Sequence, residues 1–197
     1  MISLKTFAVA VLALHIGGAT ATETSDDAHS EASPYAGQQQ RAIKSLGSAE
    51  VSALLSGEGA GMAKPAELNG YPGPAHSLEL AEGLGLSPSQ VNRSRQLMDQ
   101  HKVRARELGA QVVAAERALD ELFASKHATE DAVDAAARRV GLLHASLRAE
   151  HLKTHITQTA MLSPDQVRKY AELRGYIADA TPSMTVPDAS GHHRRHH

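Results

Sequence analysis

The hexapeptide LSPSQV at residues 86–91 returns with one change as LSPDQV at residues 162–167. Each copy has the composition of a helix start. Serine is a good N-cap, because its hydroxyl accepts a hydrogen bond from an otherwise unpaired backbone N–H. Proline then falls in the first turn, where its missing N–H costs nothing, and the glutamine completes a capping box. The residues of the two motifs are Leu86, Ser87, Pro88, Gln90, Leu162, Ser163, Pro164 and Gln166.

Between the two motifs, apolar residues recur at seven-residue intervals. Val91, Met98, Ala105, Val112 and Leu119 form one stripe, which is the pattern of a helix that packs against another helix. The stripe predicts a helix of about 35 residues, which would be about 50 Å long.

A break at residues 126–128 separates this helix from a second one. Thr129 can cap the second helix, which carries Val133 and Leu147 on one apolar face and extends almost to the second motif. Because the connection is short, we expect the two helices to pack as an antiparallel hairpin. Weaker patterns predict short helices at 38–46, 49–56 and 75–83, and a last helix at 164–178.

The N-terminal residues have the composition of a secretory signal peptide. Lys5 precedes an apolar run that is too short to span a bilayer, and Ala19-Thr20-Ala21 fits a cleavage site. The mature protein is therefore expected to be secreted. The predicted organisation is a signal peptide at 1–21, a disordered linker at 22–37, short helices and loops at 38–74, an all-α hairpin domain at 75–178 and a disordered histidine-rich tail at 179–197.

Composition argues against several classes of protein. Lys and Arg number 20 against 22 Asp and Glu, and this balance gives no reason to expect nucleic acid as a partner. The absence of cysteine removes disulfides, thiol catalysis and thiolate metal sites. No nucleophile motif or zinc-protease motif is present, so we expect no enzyme activity.

The hairpin has little material for a thick core. The chain contains two Phe and no Trp, and one apolar face on each of two helices makes a seam and not a closed core. Dimerisation is the simplest way to cover the remaining apolar surface. We therefore expect a homodimer.

Histidine is the residue type that suggests a binding site. In HLKTH, His151 and His155 lie one turn apart on one helix face, a spacing that lets two imidazoles share a metal ion. If the hairpin folds about residue 127, His101 faces them from the first helix. The candidate ligands are His101, His151 and His155, with His144, Met98 and Glu150 as further candidates. Imidazole ligands suit zinc, nickel and copper.

Simpler interpretations of these residues remain open. The histidines can be partly exposed side chains of an alanine-rich helix. The C-terminal sequence HHRRHH is a second candidate metal binder. The basic cluster Lys102, Arg104 and Arg106 is interpreted as a solvated helix face, although such a patch could attract acidic, partly unfolded proteins.

The signal peptide, the cysteine-free helical hairpin and the motifs LSPSQ at 86–90 and LSPDQ at 162–166 resemble the Spy/CpxP family of LTxxQ-motif proteins. Serine replaces the usual threonine and keeps the capping chemistry. The resemblance covers residues 75–178 and implies a curved, cradle-like dimer in the periplasm. Some members of the family are ATP-independent chaperones, and others are envelope-stress regulators or resistance and sensor proteins for heavy metals.

Two functions follow as hypotheses. The first is a periplasmic chaperone or stress-response protein that binds unfolded or misfolded envelope proteins and requires no cofactor, with a membrane sensor protein as a possible partner. The alternative is a metal sensor or resistance protein that binds zinc, nickel or copper. A purely structural helical adaptor is a third, weaker hypothesis.

Overall fold

A computed structural model describes residues 33–177 of the chain. The predicted signal peptide, most of the predicted linker and the predicted tail lie outside these residues. Within 33–177 the protein is all-helical and has no strand, as predicted. The helices are α1 (Ser48–Ser56), α2 (Lys64–Glu67), α3 (Pro74–Glu79), α4 (Pro88–Ala124), α5 (Glu130–Thr159) and α6 (Pro164–Leu173).

Helices α4 and α5 form the predicted long hairpin. The turn between them contains Lys126 at φ 63°, a left-handed conformation that ends α4 within one residue of its C-cap. Thr129 then caps α5, because its hydroxyl accepts a hydrogen bond from the backbone N–H of Ala132 at 3.3 Å. Both the position of the break and the capping residue confirm the prediction made from the sequence.

The core lies between the hairpin and the segment that precedes it. Ala105, Val112 and Leu147 are buried on the inward faces of α4 and α5, and Ile43 and Leu54 are buried with them. The heptad stripe therefore points inward as expected. The segment from residue 43 to the end of α1 covers part of the apolar surface of the hairpin. The structure describes one chain, so the homodimer stays a prediction.

A glycine sets how closely α1 approaches α4. A Cβ placed on Gly109 would lie 1.9 Å from the carbonyl oxygen of Leu54, so no other residue fits at this crossing without moving α1. Absence of a side chain lets two backbones touch. Gly109 therefore permits the contact that buries Leu54.

The prediction of a helix at 38–46 was wrong. The structure has a single 3-10 turn at Gln38–Gln40 followed by bends. Lys44 binds Asp120 of α4 through both its backbone N–H and its side chain, at 3.1 Å each, and Ser45 donates to Glu116. These contacts with α4 outweigh a weak local helical pattern.

Two other helices are shorter than the sequence suggested. Helix α3 ends at Glu79, where the chain passes into turns. Helix α6 ends at Leu173, two residues before Gly175, which adopts φ +69°. Glycine in a left-handed conformation stops a helix, and this signal was available in the sequence.

The two repeated motifs meet in space. Ser87 and Ser163 each form the predicted capping box with the glutamine three residues on. In addition, the Gln90 amide donates to the Gln166 side-chain oxygen at 2.8 Å, and the Gln166 amide donates back at 3.2 Å. Gln90 also donates to the carbonyl of Met161 at 2.9 Å. The repeat thus joins the starts of α4 and α6 side by side.

Among the helices of residues 33–177, none is both long enough and apolar enough to cross a membrane.

Candidate metal centre

The open end of the hairpin contains a pocket of about 440 Å³. Met98 and His101 line it from α4, and His151 and His155 line it from α5. The remaining walls come from the glycine-rich segment at 57–61, from α2 and from the start of α3. Residues 38–74, for which the sequence suggested no role, therefore supply much of the wall of the pocket.

His101 is held in one orientation and one tautomer. Its Nδ1 lies 3.0 Å from the hydroxyl oxygen of Thr154, and that hydroxyl donates its proton to the carbonyl of Glu150 at 2.9 Å. The Glu150 carboxylate, an acceptor, lies 3.5 Å from the same Nδ1. Nδ1 must therefore carry the proton, which leaves the lone pair of a neutral imidazole on Nε2.

His151 packs against His101 in the lining of the pocket. The ring centroids are 4.5 Å apart with an edge-to-face geometry, and the two residues are 4% and 8% exposed, respectively. The Nε2 atom of His151 is buried without a hydrogen-bond partner. Burial lowers the pKa of His151 to about 4, with His101 and His155 contributing in the same direction. Desolvation also lowers the pKa of His101, and it outweighs the opposing effect of Glu150. Both imidazoles are therefore neutral at pH 7, the form that binds metal.

His155 is more exposed than His151 and is also fixed through Nδ1. That atom is 2.7 Å from the carbonyl of Tyr71, which can only accept, so Nδ1 donates and Nε2 keeps the lone pair. A Cβ on Gly73 would come within 2.6 Å of the His155 ring. The turn at 71–73 therefore both orients this imidazole and packs directly against it.

Glu67 was not anticipated from the sequence. Its carboxylate accepts from Tyr170 and from Tyr176, the second at 2.9 Å. One oxygen lies 3.5 Å from Nδ1 of His76, and the other lies 3.7 Å from Nδ1 of His155. Glu67 therefore connects α6 with the upper part of the pocket. Burial and the neighbouring Glu67 carboxylate raise the pKa of Tyr170, which keeps that hydroxyl a donor.

The structure brings four of the six candidate ligands to one pocket: Met98, His101, His151 and His155. Glu150 lies beside His101 but on its Nδ1 side. His144 lies elsewhere on the hairpin, with Nε2 3.5 Å from Glu116. The alternative that these are surface histidines does not hold for His101 or His151. Three other residues that line the pocket, Glu67, Gly73 and His76, were not identified from the sequence. The glycines at 57–61 were a local indication that the backbone of this segment approaches the hairpin closely.

The donor set suits a soft or borderline ion more than a hard one. Among the described residues, no group of three or more His, Asp or Glu side chains is placed to hold a metal. The pocket instead offers two buried neutral imidazoles in contact and a thioether, with His155 above them. Nδ1 hydrogen bonds to a hydroxyl, carboxylate or carbonyl are the usual way in which metal-binding histidines are oriented.

A comparison with protein families matches residues 46–169 to a family described as "Heavy-metal resistance". The match begins before α1 and so includes α1, α2 and α3, whereas the resemblance in the sequence covers residues 75–178. No curated protein and no solved structure matches the chain.

Proposed function

Since the chain belongs to the Spy/CpxP-like heavy-metal resistance family, we propose that its histidine pocket binds a transition-metal ion. His101 and His151 supply imidazole nitrogens, and Met98 and His155 line the same pocket as the remaining candidate donors. The role that fits is a metal buffer or sensor in the periplasm. In that role the bound ion would be the cargo or the signal, held by the side chains of the pocket.

One observation carries the proposal. His101 and His151 are buried against each other and are neutral, and His151 forms no ion pair within the described part of the chain. Burying this edge-to-face pair of imidazoles costs desolvation energy, and Nε2 of His151 gains no hydrogen bond in return. A bound cation would use the lone pairs that the fold otherwise leaves unused.

Binding titrations test this proposal. The C-terminal histidines could bind metal themselves and are therefore replaced. The tail-substituted chain carries His192→Ala, His193→Ala, His196→Ala and His197→Ala. We expect 1:1 binding of at least one of zinc(II), nickel(II) and copper, with a dissociation constant in the micromolar range or tighter. The double change His101→Ala and His151→Ala should abolish it, and His127→Ala near the hairpin turn should not. No binding tighter than millimolar for any of these ions would refute the proposal.

A second function has its own observation. Helix α5 carries an apolar stripe on the face that points away from α4, at alternating spacings of three and four residues. Leu142 is 70% exposed and Ile156 is 57% exposed. Ala145, Ala149 and Leu152 lie between them, and the exposed Arg148 and Lys153 border the stripe. We propose that this surface binds partly unfolded, acidic proteins, as an ATP-independent chaperone would.

An aggregation assay distinguishes the second function from the first. The protein should suppress aggregation of a denatured client without ATP, and Leu142→Gln with Ile156→Gln should reduce that effect. Phe123→Gln is the matched control, because Phe123 is similarly exposed but lies at the other end of the hairpin. Equal suppression by both variants, or none by the parent protein with several clients, would end this proposal while leaving the metal proposal intact.

A further inference from the structure

We infer that the ion best suited to the pocket is copper(I), bound by Nε2 of His101, by His151 and by the thioether of Met98. The inference rests on the proposed metal function and narrows it to one metal in one oxidation state. It can fail while the proposed function stands.

The number of available donors favours copper(I). A zinc centre takes three or four protein ligands, and nickel(II) commonly takes more. Within residues 33–177, no three His, Asp or Glu side chains are gathered around a point that could hold an ion. Two imidazoles are in contact, with centroids 4.5 Å apart. Copper(I) is stable with two or three ligands, so this pair and one further donor suffice.

Met98 supplies that third donor. It lies one turn before His101 on α4, is half-buried and lines the same pocket. A thioether is a soft ligand that copper(I) prefers and that zinc(II) and nickel(II) bind weakly. The chain has no cysteine, so methionine is the only sulfur ligand that it can offer.

The carboxylates of Glu150 and Glu67 lie near the histidine pair but contact other groups. Glu150 approaches His101 at Nδ1, at 3.5 Å, and so it can orient the ring but does not lie on the side of the Nε2 lone pair. Glu67 already accepts hydrogen bonds from Tyr170 and Tyr176. The other oxygen of Glu67, Oε2, is buried without a hydrogen bond and lies 3.7 Å from Nδ1 of His155, and within the described residues no carboxylate forms an ion pair with His151.

The absence of an ion pair at His151 matters because the histidine pair is buried. The cost of moving an ion out of water rises with the square of its charge, and uncompensated charges in a protein interior are costly. A monovalent ion bound by three neutral ligands brings one charge into the pocket, and a divalent ion brings two. The burial of His101 and His151 makes each added charge costly. This cost keeps both imidazoles neutral and favours copper(I) over a divalent ion.

His155 is not needed for this site. Its Nδ1 donates to the carbonyl of Tyr71 at 2.7 Å, and Gly73 packs against its ring. The ring is therefore fixed by the turn at 71–73, and the proposed site does not use it as a ligand. This assignment differs from the sequence prediction, in which His151 and His155 shared the metal.

The test uses the full-length tail-substituted chain, with copper(I) added anaerobically against a chromogenic copper(I) chelator and zinc(II) added against a zinc chelator. We expect one copper(I) per chain. Met98→Leu should weaken copper(I) binding by about tenfold or more and change zinc(II) binding by less than about twofold. Met62→Leu is the matched control, because Met62 packs against the core and does not line the pocket.

X-ray absorption at the copper edge gives a measurement that does not depend on the stability of a variant. The parent chain loaded with copper(I) should show one sulfur and two nitrogen neighbours. A copper shell without sulfur, or equal copper(I) affinity in Met98→Leu and the parent, overturns the inference. If zinc or nickel still binds through His101 and His151 in that case, the proposed function survives. If no ion binds, both fail.

Discussion

His101 and His151 are polar side chains that are buried in contact with each other. The spacing of HLKTH and the hairpin register were enough to predict that His101 would face this part of the second helix, and Thr154 and His151 are its neighbours. The sequence could not reveal that Nδ1 of His155 meets the Tyr71 carbonyl. That contact is made by a loop whose path depends on tertiary packing, so no local pattern encodes it.

The buried His151 should make stability depend on pH. In the folded protein its pKa is lowered from 6.5 to about 4, so between these values the unfolded chain binds more protons than the folded one. The contribution of neutral His151 to the free energy of unfolding is present in full above pH 6.5, and it is lost as pH falls to about 4. It amounts to about 3 kcal/mol.

Urea unfolding at pH 7, 6 and 5, with a chelator present, measures this effect. In His151→Leu, stability should fall less steeply with decreasing pH than in the parent chain. In His127→Ala, where the ring is exposed, the slope should match the parent. Equal slopes in all three proteins would mean that His151 is protonated in the folded state, contrary to its burial.

At the scale of elements, the glutamine in each motif has two roles, and only one was visible in the sequence. Capping by Ser87 and Ser163 follows from local spacing, and the structure confirms it. The reciprocal pairing of Gln90 with Gln166 requires α4 and α6 to begin side by side. In the sequence, only the repetition of the motif indicated this pairing. In the structure, both glutamines are partly buried at the contact that they share.

A double-mutant cycle measures the pairing. Gln90→Met and Gln166→Met each remove an amide and leave the partner's amide without its acceptor, so each should destabilise the protein by about 1–3 kcal/mol. The double change should cost less than the sum, with a coupling energy of about 1 kcal/mol. Ser87→Ala, which removes one cap and leaves the pair, should cost about 1 kcal/mol. Strict additivity of the two glutamine changes would show that the side chains act independently.

The crossing of α1 and α4 offers a matched pair of glycine substitutions. Gly109→Ala places a Cβ against the Leu54 carbonyl and should displace α1, so we expect a loss of several kcal/mol. Gly141→Ala lies mid-helix in α5 with nothing within 4 Å and should stabilise the protein by about 0.5–1 kcal/mol. Thermal unfolding measures both. A Gly109→Ala protein as stable as the parent would show that α1 is not packed at this crossing.

At the scale of the molecule, the segment before the hairpin covers part of the apolar seam of the hairpin, and the homodimer stays a prediction. Ile43 and Leu54 cover the apolar seam of α4 and α5, and the glycine-rich loop and α2 form the wall of the pocket. The all-α class and the hairpin could be predicted, because heptad periodicity and helix caps are local signals. The position of residues 43–76 could not be predicted, because it depends on long-range contacts such as those of Lys44 and Glu67.

The binding of a metal ion by His101 and His151 is tested most directly by ¹H–¹⁵N correlation spectra of the histidine rings in the tail-substituted chain. Without metal, we expect His101 and His155 to carry the proton on Nδ1. One equivalent of copper(I) or zinc(II) should shift the unprotonated nitrogens of His101 and His151 and leave His127 unchanged. Shifts confined to exposed histidines, or no shift with either ion, would contradict metal binding in this pocket.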